Sequence, residues 1–477
     1  MRKSLLIGVS AFVLGAGTMA YLNHPASATD APRAETFKML ELFGDVLTIV
    51  DQQYVTPVDD KKLIESAIDG MLTSLDPHSG YMNAADFKDF REQMSGQYGG
   101  LGLEVTSDEG AVKVITAMDD TPGSRAGLQS GDYITAIDDQ SVIGLTLSDA
   151  VKKMRGTVGE PITLTVVRDG KDPFQVKLVR EVIHVKSAKG HMEGDYGHLR
   201  ISSFEENTTE QSAQVLQDLK TQDPKMKGLV LDLRNNPGGQ LDQAVGVSSL
   251  FLNGGEVVSQ RGRDPKDIQR YNADPNGDVL HGLPIVVLIN SGTASAAEIV
   301  AGALQDRHRA AIVGLTSFGK GSVQTVTPLH NGDDGALKLT TARYYTPSGR
   351  SIQKTGIEPD LEVAMSTDQA QAAANEAYDF SEASFSNALN ADEGQVRRAA
   401  HAPAEAPPPD FDAKKDFQLT RGLDVLRYGS VAATPKLPTV KPKIARFQAP
   451  PAKGDVPAGG ADTPAASPPK PAAAGGH

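Results

Sequence analysis

The sequence predicts an α/β protein with a helical N-terminal region and a β-rich domain, and three hydrophobic periods support this prediction. Residues 35–95 show the helical period, 98–181 show a period of two, and 190–365 alternate strand and helix. Repeated strand–turn–helix units predict a sheet whose active groups lie in the strand-to-helix turns. The 477 residues suggest about three domains at roughly 150 residues each.

Composition excludes several classes of protein. The net charge of −13 argues against a nucleic-acid partner, because such binding depends on neutralising phosphates. Cysteine is absent from the sequence, which excludes a disulfide framework, a thiolate nucleophile and a Cys-ligated metal. Aromatic residues make up 5% of the chain and tryptophan is absent, so the cores must be aliphatic. No motif requires a metal or a cofactor, and we expect neither.

The first 28 residues have the pattern of a signal peptide. Arg2 and Lys3 are charged, 4–20 are apolar, and 26–28 offer a small-residue cleavage site. The alternative is an uncleaved anchor that retains the protein at the inner membrane. In both cases we expect the rest of the chain to be periplasmic or otherwise extracytoplasmic, where ATP is not available.

Period and composition divide the chain into six segments. They are the signal peptide (1–28), a helical region (35–96), a β-rich domain (97–182), a strand–helix core (183–365), a linker with a helix at 416–427 (366–429) and a tail (430–477). The last 48 residues hold ten of the 29 prolines, which predicts a disordered tail.

Ser295 lies where an apolar strand, 284–290, ends and a helix begins. One interpretation is structural, because Ser295 and Glu298 fit a capping box and an N-cap serine stabilises a helix by about 1 kcal/mol. The other is functional, because free N–H groups at a helix N-terminus favour negative charge. The Ala296 N–H would then be an oxyanion donor beside a nucleophilic serine.

A nucleophilic serine needs a base, and Lys320 is the candidate. It lies 25 residues after Ser295, among glycines and before an alternating run. A lysine can act as a base where burial disfavours its charged form, and lowering a lysine pKa by about 3 units costs about 4 kcal/mol. Gln324 would face the same side of a strand and orient the amine. A surface strand residue is the alternative for Gln324.

Two glycine-rich turns are candidate binding elements. Gly238 and Gly239 follow the apolar run 228–233 and would let the backbone approach a ligand as a second oxyanion donor, or they form a plain turn. The turn at 98–103 leads into a strand. Its N–H groups could hold a C-terminal carboxylate while the peptide adds a strand beside it.

Together these motifs resemble the carboxy-terminal processing proteases, the tail-specific Ser/Lys peptidases of bacterial envelopes and chloroplast lumens. The matching pieces, in chain order, are 75–79, 100–103 with 124–128 and 131–132, 232–239, 291–298, 318–324 and 339–350. Six pieces in the same order make the resemblance specific.

The resemblance implies a ClpP/crotonase-like catalytic core with a PDZ domain inserted between the helical and catalytic parts. The residues that it implies for catalysis are Ser295 (nucleophile), Lys320 (general base), Gln324 (orienting group), and Ala296 with Gly238 or Gly239 (oxyanion hole).

For substrate binding, the resemblance implies that Leu101, Gly102 and Leu103 hold the C-terminal carboxylate. Arg155 would couple the PDZ domain to the core, and a solvated arginine is the alternative. The implied activity is ATP-independent endopeptidase cleavage of proteins with exposed C-termini. We also expect a homo-oligomer, with room for an envelope adaptor protein. The alternative function is a non-catalytic PDZ scaffold, against which the intact Ser295 and Lys320 argue.

Overall fold

The computed structural model describes residues 30–437, except 109, 119, 169–170, 265, 375–380, 400 and 413. The predicted signal peptide and the tail beyond residue 437 lie outside this range. The described residues form two compact units, one of 30–89 with 324–340 and the other of 90–323 with 341–437.

The N-terminal part is helical, as the period at 35–95 predicts. Its elements in chain order are α1 (Asp30–Gln53), α2 (Asp60–Thr73), β1 (Gly80–Met82) and α3 (Ala84–Ser95). Helix α2 begins where the Asp59 carboxylate accepts a hydrogen bond from the Lys62 N–H at 3.3 Å. Strand β1 pairs antiparallel with residues 336–338. Among the described residues, no helix combines the length and hydropathy that a membrane span requires.

The β-rich domain consists of short strands, as its period of two predicts, and contains two short helices. Its elements are β2 (Gln97–Gly100), β3 (Leu103–Asp108), β4 (Ala111–Ala117), α4 (Pro122–Arg125), β5 (Tyr133–Ile137), β6 (Gln140–Ser141), α5 (Leu147–Met154), β7 (Pro161–Val167), β8 (Phe174–Val179) and β9 (Glu181–His184). The sheet order is β3-β4-β5-β7-β8, with β6 beside β5. Ile134, Leu164 and Val166 are fully buried in its aliphatic core. Strand β2 pairs with β9, so the chain enters and leaves the domain on adjacent strands.

The strand–helix core follows. Its elements are β10 (Ala188–Glu193), β11 (Tyr196–Ile201), α6 (Thr208–Gln222), β12 (Leu229–Asp232), α7 (Leu241–Ser249), β13 (Glu256–Arg261), β14 (Ile268–Asn272), β15 (Ile285–Ile289), α8 (Ala296–Asp306), β16 (Ala310–Gly314), β17 (Ser322–Pro328), β18 (Ala336–Tyr345), β19 (Leu361–Glu362), α9 (Thr367–Ala374) and α10 (Phe417–Tyr428). The main sheet has the order β10-β11-β12-β15-β16-β19. It is parallel from β11 to β19, and β10 is antiparallel. The α/β prediction is therefore confirmed.

The central strands of this sheet are apolar on both faces because helices cover both. Leu229 and Leu231 of β12 pack into one cluster with α6, α7 and α8. Val230, between them, packs into a second cluster with Phe417 and Val425 of α10. Alternate residues of a strand point to opposite faces, so the two clusters lie on the two sides of the sheet.

Helix α10 is the helix predicted at 416–427 within the segment that sequence analysis describes as a linker. In the structure it covers one face of the sheet. Asp416 caps it by accepting a hydrogen bond from the Leu419 N–H at 2.9 Å. The same carboxylate accepts from the buried guanidinium of Arg234 at 2.7 Å, and Arg234 also binds Asp232 at 2.7 Å. This ion-pair network ties the start of α10 to the end of β12.

Candidate active site

Ser295 lies between β15 and α8 in an unusual backbone conformation. Its φ is +54° and its ψ −117°, outside the conformations that residues with a side chain usually adopt. Two other N-cap residues, Thr146 and Asp416, have φ of −66° and −78°. The loop before the serine is held by the Thr293 hydroxyl, which donates to the Leu233 carbonyl at 2.8 Å. An ordinary N-cap needs no such backbone, so the conformation favours a functional serine.

The turn with the two glycines reaches this serine. A Cβ added to Gly238 would lie 2.9 Å from both the Ser295 Cβ and the Ala296 nitrogen, so the site requires glycine. The Ala296 N–H is the first of α8 and has no acceptor within its own helix. The Gly238 N–H already donates to Asn236 Oδ1 at 2.9 Å. Of the two predicted glycines, Gly239 is therefore the better candidate for the second oxyanion donor.

Lys320 lies in the loop between β16 and β17 and is half-buried. Its backbone N–H donates to Glu298 Oε2 at 2.9 Å, and the same oxygen accepts from the Ser295 N–H at 2.8 Å. The backbone nitrogens of Ser295 and Lys320 therefore lie within about 5.7 Å, the sum of these two distances. The structure brings the backbones of the predicted nucleophile and the predicted base together around one carboxylate.

The sequence predicts Glu298 only as part of a capping box, and the structure has the half of it in which the Ser295 N–H donates to Glu298 Oε2. The side chain is fully buried. Its Oε1 accepts from the Ser317 hydroxyl, and also from the Gly319 N–H at 2.7 Å. Burial raises the pKa of Glu298 to about 7, although these hydrogen bonds lower it. The capping motif was the sole sequence signal for this residue, and it did not predict the contact with the lysine loop.

Gln324 belongs to the smaller unit, where its side-chain Nε2 donates to the Thr340 hydroxyl at 3.2 Å. That hydroxyl donates to Asp76 Oδ1 at 3.1 Å. Burial raises the pKa of Asp76, but hydrogen bonds, led by the one from Ser79, lower it below its usual value. An ionised carboxylate only accepts, so Thr340 donates to it and accepts from Gln324. The NH2 end of the Gln324 amide therefore faces Thr340. The orienting contact with Lys320 stays a prediction.

The residues predicted to hold a carboxylate lie immediately before β3 or at its start. Leu101 is buried, and its carbonyl accepts from the Gly123 N–H at 2.8 Å. Gly102 has φ of +69°, and a Cβ there would lie 2.3 Å from the Thr121 Cβ. Leu103 begins β3. The turn therefore has a shape that only glycine permits at its centre.

Strand β3 is at the edge of its sheet, paired with β4 alone among the described strands. Leu103 and Val105 of this strand are half-buried, as are Leu147 and Val151 of α5. All four pack against the core of the domain. An open strand edge beside apolar side chains suits the addition of an extended peptide with an apolar side chain.

Arg155 directly follows α5, and its guanidinium lies over the ring of Tyr98 at 4.2 Å from the centroid. Tyr98 is in β2, the strand by which the chain enters the domain. The Gly156 N–H donates to the Gly99 carbonyl at 3.1 Å. Arg155 thus contacts the connection between domain and core, although its side chain is exposed, as the alternative of a solvated arginine expects. Its coupling role stays a prediction.

In the described ranges, no three His, Asp or Glu side chains are grouped so that they could hold a metal ion. The groups that the structure places around Ser295 are backbone N–H groups and the Glu298 carboxylate.

Three family models match the chain. Peptidase family S41 matches 195–363, the PDZ domain matches 114–168, and the activating protease CtpB N-terminal domain matches 14–86. The match to the PDZ model identifies the β-rich domain. The match to the S41 model covers the strands and helices that carry Ser295 and Lys320.

Individual proteins match along most of their length. A carboxy-terminal-processing protease of Bartonella bacilliformis is 53% identical over 340 residues, which are 71% of this chain and 78% of the relative. A probable CtpA-like serine protease of Staphylococcus aureus is 35% identical over 368 residues, 76% of this chain and 72% of the relative. The solved structure of a photosystem II D1 C-terminal processing protease aligns with 30% identity and a TM-score of 0.39, covering 68% of this chain and 92% of that one. The chain therefore belongs to the carboxy-terminal-processing proteases of peptidase family S41.

Proposed function

We propose that this family member is an ATP-independent serine endopeptidase of the cell envelope, with Ser295 as nucleophile and Lys320 as general base. The observation that carries the proposal is the pair of hydrogen bonds that bring the backbones of the two residues within about 5.7 Å of each other. The strained backbone of Ser295 supports it, because such strain is concentrated at functional sites.

Substrate recognition begins in the PDZ domain. The C-terminal carboxylate of an unfolded or released protein binds the N–H groups of the turn at 101–103, and the last residues add a strand along β3. An apolar C-terminal side chain packs between Leu103 of β3 and Val151 of α5, both half-buried. The peptidase core then cleaves the substrate chain at a bond near its bound C-terminus.

Peptide cleavage proceeds through an acyl-enzyme. The neutral amine of Lys320 takes the hydroxyl proton of Ser295 while Oγ bonds to the carbonyl carbon of the peptide. When the C–N bond breaks, the Lys320 ammonium returns that proton to the leaving amine, and an ester remains. The amine next takes a proton from water, whose oxygen attacks the ester. The C–O bond to Ser295 breaks, and Oγ recovers the proton from Lys320.

The tetrahedral intermediate carries its negative charge on the former carbonyl oxygen. The Ala296 N–H at the start of α8 and the Gly239 N–H would donate to this oxygen. Backbone donors held by a helix and a fixed turn need no rearrangement when the charge develops, which is the condition for effective oxyanion stabilisation. Gln324 would hold the Lys320 amine in line with the hydroxyl.

The test is turnover of an unfolded substrate with an apolar C-terminus by the purified full chain, without ATP. We expect Ser295→Ala and Lys320→Ala each to lower kcat by at least about a thousandfold. Ser291→Ala, in the same loop, and the exposed Lys266→Ala are matched controls that should keep wild-type turnover. Near-wild-type kcat in either dyad variant would show that the dyad is wrong.

Two further measurements separate the remaining parts of the proposal. Amidation of the substrate C-terminus should lower kcat/KM about tenfold or more, because the carboxylate contact is lost. Binding of a free C-terminal peptide by the wild type, without any turnover of the unfolded substrate, would instead support the scaffold function.

Cell fractionation tests the envelope location, and deletion of residues 1–28 should leave the protein in the cytoplasm. The homo-oligomer and the adaptor protein stay predictions.

A further inference from the structure

The Glu298 carboxylate accepts four hydrogen bonds from two separate segments. Oε2 binds the Ser295 N–H at 2.8 Å and the Lys320 N–H at 2.9 Å. Oε1 binds the Gly319 N–H at 2.7 Å and the Ser317 hydroxyl. One donor comes from the turn that carries the serine, and three come from the loop that carries the lysine. The carboxylate is thus a bridge across the site.

All four partners act as donors. Three are backbone N–H groups, and the fourth, the Ser317 hydroxyl, accepts from the Ile357 N–H at 2.7 Å and so gives its proton to Glu298. A carboxylate offers acceptor positions on both oxygens, whereas an amide of the same shape offers one oxygen and one NH2 group. A glutamine at this position would therefore face two of the four donors with an NH2 group.

We propose that Glu298 is a positioning residue for the peptidase reaction, which holds the Ser295 hydroxyl and the Lys320 amine in fixed positions relative to each other. The inference rests on the proposed function, in which these two groups are the dyad. Full burial of the carboxylate supports it, because water cannot replace a lost donor or acceptor there. An N-cap role alone would account for the bond to Ser295 but not for the three bonds to residues 317–320.

The bridge acts through geometry, not through contact with the substrate. Proton transfer from a hydroxyl to an amine requires the two heavy atoms at hydrogen-bond distance. A displacement of about 1 Å of a reacting group can lower the rate about a hundredfold. In the proposed function the substrate C-terminus binds at 101–103 and along β3 and not at the loop 317–320, so loss of the bridge should change kcat and leave KM nearly unchanged.

The experiment compares three variants of the full chain with the wild type. Glu298→Gln keeps the side-chain length but removes two acceptor positions, and we expect kcat to fall about a hundredfold with KM within about threefold. Ser317→Ala removes one donor to Glu298 and the acceptor of the Ile357 N–H, but it leaves the bonds to Ser295 and Lys320. We expect kcat to fall about threefold to tenfold. Ile299→Val, the neighbouring buried residue of α8, is the control for stability, with kcat within about twofold of the wild type.

Ser295→Ala and Lys320→Ala are measured in parallel, so the outcomes are distinguishable. If both are inactive while Glu298→Gln keeps wild-type kcat, the dyad stands and the bridge is wrong. If Glu298→Gln loses kcat only in proportion to its loss of folded protein, measured by circular dichroism, the bridge is also wrong. If Glu298→Gln does not fold, Ser317→Ala decides: unchanged kcat overturns the inference, and lowered kcat with unchanged KM supports it.

Discussion

Ser295 has a backbone conformation that its neighbours must compensate. A residue with a side chain in such a conformation costs about 1–3 kcal/mol. Its N–H is held by Glu298, and its Cβ lies against Gly238, where any side chain would collide. The strained residue directly precedes α8, so the cost in stability falls at the predicted nucleophile.

This strain gives a measurable difference between two inactive variants. Ser295→Gly removes both the hydroxyl and the steric conflict, whereas Ser295→Ala removes the hydroxyl and keeps the conflict. At φ of +54°, we expect the glycine variant to have a free energy of unfolding about 1 kcal/mol higher than that of the alanine variant. Urea denaturation checks the difference. An alanine variant equal to or more stable than the glycine variant would contradict the strained backbone.

Among the elements, the turn before β3 is the one in which a single sequence position is expected to control peptide binding. Gly102 supplies a left-handed backbone and the space next to Thr121 that a Cβ would occupy. The turn lies immediately before β3, whose outer edge is unpaired among the described strands. Recognition of a C-terminus is therefore expected to depend on this one glycine.

We expect Gly102→Ala to weaken binding of a peptide with an apolar C-terminus about tenfold or more. The added Cβ would lie 2.3 Å from the Thr121 Cβ, so the turn must move. Gly110→Ala is the matched control, because Gly110 also has a positive φ, +79°, and no atom within 4 Å of an added Cβ. Fluorescence anisotropy with a labelled peptide measures both. Equal losses of affinity in the two variants would show that the turn at 102 does not bind the carboxylate.

At the scale of the whole molecule, the larger unit contains separate hydrophobic cores. The PDZ domain has its own cluster, and the main sheet has one cluster on each face. Phe417 of α10 is 2% exposed and packs edge-on against Phe411, with ring centroids 5.0 Å apart. Helix α10 therefore belongs to the peptidase core, although a polar segment separates the two in the sequence.

Separate cores predict separate effects of mutation. Phe417→Ala should lower the free energy of unfolding of the peptidase core by about 3–5 kcal/mol, because it leaves a cavity beside Val230 and Leu288. Peptide affinity of the PDZ domain should not change while the protein is folded. Denaturation followed by circular dichroism and anisotropy with the same peptide test the two statements. Loss of affinity in parallel with stability would contradict independent cores.

The sequence by itself determined the order of the helical, β-rich and strand–helix segments and the positions of Ser295, Lys320 and the glycine turns. These follow from local signals: hydrophobic period, turn residues and a capping pattern within a few positions of each other. The helix at 416–427 was also predictable, since one of its faces is apolar.

Only the tertiary structure decided what these segments contact. The Glu298 bridge joins Ser295 to Lys320, 25 positions further along the chain, and the bond from Thr340 to Asp76 spans 264 positions. The partner of α10 is a sheet face, which its own period cannot identify. Hydrophobic period reports which face of an element is buried, but not against what, and a hydrogen bond between distant segments leaves no local pattern. The candidate residues of the site were therefore predictable from local signals, and the contacts that hold their backbones in place were not.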